Sequence, residues 1–101
     1  MIAAKYRKKP LVVEAIRFTG GNGKRIERWA ALHGSDAVQS GVGSYEGRAE
    51  DIMRITTLEG VMAAGPGDWI IRGVAGEFYP CKHDIFVTTY DRIRGDGVLT
   101  T

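Results

Sequence analysis

A nucleophile, a base and a carboxylate fall within four residues at Cys81-Lys82-His83-Asp84, with Glu77 just upstream. Thiol catalysis needs a thiolate and a base within hydrogen-bond reach of each other. On an extended strand Cys81 and His83 would share one side about 7 Å apart, too far for direct pairing. A packed or half-exposed cysteine is the simpler account, so no catalytic residue is assigned and no enzyme activity is expected. Metal binding would need ligands from elsewhere, such as His33, and no metal site or cofactor is assigned. A lone cysteine also excludes an intramolecular disulfide.

Binding chemistry is better represented. Trp69, Arg72, Tyr79 and Lys82 would line one side of a hairpin pair, where rings stack on bases and cations meet phosphates. Ordinary cross-strand packing with solvated charges would use the same residues. Gly20-Gly21-Asn22-Gly23 precedes Lys24 and Arg25, and backbone N–H groups at a helix start attract anions. It lacks the Gly-Lys-Ser/Thr ending of a phosphate-binding Walker loop. Trp69, Arg72, Tyr79, Lys82, Lys24 and Arg25 are therefore the candidate ligand contacts, for a nucleotide-type small molecule.

These side chains need elements to hold them. Lys5 to Phe18 predicts a strand entered through Pro10, regular from Leu11 onward. Val12, Ile16 and Phe18 share one face with Glu14, while Leu11, Val13 and Ala15 share the other with Arg17. Asn22 is placed to cap an amphipathic helix from Gly23 to His33, with Ile26, Trp29 and Ala30 on one stripe. Gly34 stands at the C-cap position. Trp29 is the residue expected to dock that helix. Residues 34–51 hold four glycines among small and polar side chains and predict a mobile loop, with a short strand at Ala37-Val38-Gln39 at most.

The remainder predicts a β-meander. Ile52 to Leu58, Val61 to Ala64, Trp69 to Arg72 and Glu77 to Cys81 are strands. Glu59-Gly60, Gly65-Pro66-Gly67-Asp68 and Val74-Ala75-Gly76 are turns. Asp84 could cap one helical turn through Phe86, and Val87 to Ile93 would add a last strand. Residues 94–101 predict a frayed tail. A strand, one helix and consecutive hairpins make an α+β fold with an antiparallel sheet. Residues 1–93 form a single domain, as 101 residues allow.

The apolar share is 44 % and the charged share 26 %, ordinary for a soluble chain. No apolar run has the length of a membrane span, so membrane insertion and export are not expected. The net charge of +2 hides an asymmetry of +6 over residues 1–34 and −4 over 35–101. Such a basic segment attracts phosphates, unless it packs beside the acidic hairpins and the field cancels. One unpaired cysteine suits a reducing cytoplasm.

Several blocks carry a resemblance. Lys5-Tyr6-Arg7-Lys8-Lys9-Pro10-Leu11-Val12-Val13-Glu14-Ala15-Ile16 opens the series, followed by Thr57-Leu58-Glu59-Gly60 and Pro66-Gly67-Asp68-Trp69-Ile70-Ile71-Arg72-Gly73. Gly76-Glu77-Phe78-Tyr79-Pro80-Cys81-Lys82 and Asp84-Ile85-Phe86 with Thr89-Tyr90 complete it. In order and spacing these resemble a family of small phage and prophage proteins of unassigned function. The chain departs from it at His83, where members usually carry proline, and in the glycine-rich stretch 34–51. The resemblance implies phage origin and action in the host bacterial cytoplasm, and it carries no catalytic residue. The expected function is a non-catalytic accessory protein that binds a nucleotide-type ligand or a host protein, as in counter-defence or host takeover. A nucleic-acid-binding module and a phage structural or assembly protein are the alternatives, and a domain of this size would gain from homo-oligomerisation.

Overall fold

The structure, a computed structural model, describes residues 2–94 and 99–100. The elements in order are β1 (Glu14–Arg17), α1 (Gly23–Leu32), β2 (Val38–Tyr45), β3 (Arg48–Thr57) and β4 (Gly60–Ala64). There follow β5 (Trp69–Arg72), β6 (Phe78–Cys81), α2 (His83–Thr89), β7 (Arg92–Ile93) and β8 (Leu99–Thr100). All pairings are antiparallel, and the class is α+β.

The strands do not form one meander. They divide into a sheet ordered β1-β5-β6 and a second ordered β2-β3-β4. The break falls at Gly65-Pro66-Gly67-Asp68, a type II turn as its residues predict, with Gly67 at φ +99° and the Asp68 amide donating to the Gly65 carbonyl. The turn sends β5 to β1 instead of back to β4. Phe18 and the turn exchange backbone bonds, Phe18 N to Asp68 O at 2.8 Å and Gly67 N to Phe18 O at 2.7 Å.

One core joins both sheets to α1. Ile26 and Ala30 of the helix are fully buried against Val38, Met53, Ile55 and Ala64 of one sheet and Ile70 and Phe78 of the other. Trp29 only flanks this core, its ring edge-on to Phe78 at 5.3 Å, so the smaller pair docks the helix. Gly23 lets the first turn approach closely, since a Cβ there would meet Ser40 and the Met53 sulfur. The helix ends in a Schellman arrangement at Gly34 (φ +78°), with the Gly34 and Ser35 amides donating to the Ala31 and Ala30 carbonyls. Asn22 does not cap the helix with its side chain. It accepts from the Thr19 amide and donates to the Arg17 carbonyl, bracing the turn before the helix.

Four more expectations are corrected. The stretch 34–51 is no loop: most of it builds the β2–β3 hairpin, closed by Glu46 (φ 51°) and Gly47 (φ 80°) in a type I′ turn. Regular strand at the start covers only Glu14–Arg17, because β5 offers four partners and residues before Glu14 find none. Phe86 belongs to a helix running to Thr89, leaving only Arg92–Ile93 as strand. Those two residues pair with Leu99–Thr100, which therefore leave the expected frayed tail, while residues 95–98 and 101 lie outside the described ones.

Candidate functional site

Antiparallel register puts directly paired residues on one face of a sheet. Arg17 pairs with Trp69, Trp69 with Cys81, and Ala15 with Ile71 and Ile71 with Tyr79, so these share the face turned to α2. Arg72 pairs with Glu14 and Phe78 on the opposite face. There its guanidinium reaches the Glu14 carboxylate at 3.3 Å, with His33 at 3.8 Å from the same oxygen. The expected Trp69–Arg72–Tyr79–Lys82 surface is thus split by the pleat.

Lys82 is spent within the chain. Its ammonium lies 3.2 Å from Glu46, 3.6 Å from Asp68 and 4.3 Å from the centroid of the Tyr45 ring. Tyr45 packs over Gly65, where no side chain would fit, and its hydroxyl donates to Asp68 Oδ2 at 2.6 Å. The Gly65 amide donates to the same oxygen at 3.0 Å. This cluster pins the tip of the β2–β3 hairpin to the turn before β5. Burial pushes the Asp68 carboxyl up, opposed by the Gly65 bond. Burial, then the charge of Asp68, likewise pushes the Cys81 thiol up, which disfavours the thiolate. Cys81 Sγ donates to the Lys82 carbonyl at 3.5 Å, and His83 Nδ1 accepts from the Trp69 indole N–H at 3.1 Å. The two residues are therefore committed to separate partners.

The glycine-rich turn before α1 is explained by packing. Lys24 pairs with Glu27 at 3.6 Å and borders a small cleft of about 270 Å³. Glu27 also accepts from the Ser40 amide and hydroxyl, at 3.0 and 2.7 Å, and these bonds hold its carboxyl below the ordinary value. Arg25 is exposed and borders none of the described clefts.

The feature best suited to a ligand is a groove of about 580 Å³ between β1 and α2. One wall is Leu11, Val13, Ala15 and Arg17, alternate residues of the face expected from the sequence, with Val12 beside them. Trp69, Phe86 and Tyr90 supply an aromatic ladder, and Asp91, Arg92 and Ile93 close the far side. The Trp69 and Phe86 rings stack at 4.0 Å, and Phe86 meets Tyr90 at 5.0 Å. The Tyr90 and Tyr79 hydroxyls are 3.4 Å apart, and burial above all, then Tyr90, holds the Tyr79 phenol strongly protonated. Arg17 is held at the groove by its Nε donating to the Gly67 carbonyl at 3.0 Å.

Of the six candidate contacts only Trp69 lines this groove. Phe86, Tyr90 and Arg17 join Trp69 there without any motif in the sequence that marks them. The spacing of four between Phe86 and Tyr90 was the available signal, because it puts both on one side of a helix and its continuation.

No family model, curated protein or solved structure matches the chain. No helix among the described residues is long and apolar enough to cross a membrane, and none of their His, Cys, Asp and Glu side chains gather in threes.

Proposed function

We propose that the protein is a non-catalytic accessory protein of phage origin, acting in the host bacterial cytoplasm by binding a nucleotide-type ligand in the groove between β1 and α2. The groove carries this reading. Its volume of about 580 Å³ sits within the roughly 300–1,000 Å³ of small-molecule sites. Its walls combine the rings of Trp69, Phe86 and Tyr90, against which a planar base packs, with the guanidinium of Arg17, which suits a phosphate. Phage origin rests on the motif blocks from Lys5 to Tyr90 quoted above.

The test is thermal unfolding with Trp fluorescence against a panel of nucleoside mono-, di- and triphosphates. A ligand at 100 times its Kd stabilises the fold by about 2.7 kcal/mol. The expected result is a rise in Tm with at least one nucleotide, abolished by Val13→Trp, which fills the groove from its partly buried wall. A panel that leaves Tm unchanged would defeat the proposal.

A further inference from the structure

Residues 2–13 approach β1 without any regular structure, and all from Ile2 to Val12 are exposed. They carry Lys5, Arg7, Lys8 and Lys9 and no acid, twice the net charge of the whole chain. Packing against the acidic hairpins would have cancelled that field. The ion pairs at Lys24, His33, Arg72 and Lys82 draw on other parts of the chain. The arm's cations remain outside these pairs.

The arm also runs beside the groove. Leu11, Val12 and Val13 line one wall, and the Lys8 ammonium lies 6.0 Å from the centroid of the Tyr90 ring on the other. Tyr6, between Lys5 and Arg7, is 93 % exposed. Five extended residues span on the order of 15 Å, so Lys5, Arg7, Lys8 and Lys9 spread their charges along a track and not at one point. The groove holds about 580 Å³, room for a splayed base and far too little for a duplex. Unstacked bases on aromatic rings, with phosphates along a basic track, is how single strands are held.

Resting on the nucleotide reading of the groove, we infer that the arm binds the neighbouring phosphates of a single-stranded oligonucleotide, making the strand, and not the free mononucleotide, the preferred ligand. Four phosphate contacts on a single strand give a salt slope of about −2.8, so a fourfold rise in salt costs roughly 50-fold in affinity.

Fluorescence anisotropy with labelled oligothymidylate and oligouridylate of about 12 nucleotides tests this, with thymidine and uridine monophosphates as mononucleotide ligands. The expected result is tighter binding of either strand than of its mononucleotide, with that salt dependence. A variant with Lys5→Gln, Arg7→Gln and Lys9→Gln, which keeps Lys8 beside Tyr90, should flatten the slope by about 2 and keep both its Tm and its mononucleotide affinity. Unchanged oligonucleotide binding in this variant, with mononucleotide binding intact and sensitive to Val13→Trp, would overturn the role of the arm and leave the groove reading standing. Failure of both ligands to bind the unaltered chain would remove both. Equal competition by a polyglutamate peptide would overturn the assignment to nucleic acid.

Discussion

At the scale of single residues, Asp68 is the most constrained polar group, 7 % exposed and holding two donors on one oxygen. Lys82 lies near it but is half exposed and shared with Glu46, so burial dominates and the carboxyl titrates above its ordinary 3.8. The folded state then binds the proton more tightly than the unfolded chain. That contribution is complete below 3.8 and is lost as pH rises through the raised value. Glu27 works in the opposite sense, favouring the fold above 4.5 and losing that contribution as pH falls through its lowered value. An Asn carbonyl can accept both bonds now made to Oδ2, so Asp68→Asn should keep neutral-pH stability within about 1 kcal/mol, whereas Asp68→Ala strands the Gly65 amide and costs about 1–3 kcal/mol. In urea unfolding across acid pH the natural protein should gain on the Asn variant as pH falls; a loss would mean that the Lys82 charge outweighs burial.

At the scale of elements, glycine misleads in β2 for a physical reason. Glycine weakens strands and usually marks loops, yet Gly41 and Gly43 leave space that Arg54 and Ile52 of β3 fill. Arg54 lies across β2 and donates to the Val42 carbonyl at 3.0 Å. The Glu46-Gly47 pair hides the hairpin further, since type I′ turns favour Asn or Asp where Glu46 stands. A Cβ at Gly43 would run into Ile52, which is 3 % exposed and has little room to yield. Gly43→Ala should therefore cost about 1–3 kcal/mol by overpacking. Gly21 faces open space without a positive φ, so Gly21→Ala should be neutral or stabilise by about 0.4–1 kcal/mol. Urea midpoints of the two variants check this, and equal midpoints would contradict the packing given for β2.

At the scale of the whole molecule, the single core spanning α1 and both sheets makes unfolding cooperative, so far-UV circular dichroism and Trp fluorescence should give coincident transitions. The Cα radius of gyration is 15.2 Å, against about 13 Å for a compact domain of 100 residues, in keeping with an N-terminal arm that pairs with no strand. Deleting residues 2–10 removes only exposed side chains and should move Tm by no more than about 4 °C. A collapse of the fold on deletion would show that the arm is part of the core.

Local chemistry was enough to determine several parts of this protein. The α1 stripe, the Gly34 terminus, the type II turn at Pro66-Gly67 and the β5 and β6 strands all follow from short-range spacing and turn residues. Ala15 and Arg17 face the groove by strand alternation. Only the tertiary structure decided which strands pair, because β1 meets β5 across some fifty intervening residues and no local signal encodes that register. That pairing sends Arg72 to one face and Trp69 to the other, and brings Phe86 and Tyr90 over β1. The candidate site was thus legible as residue types and not as a place: its composition is local, while its shape comes from long-range pairing.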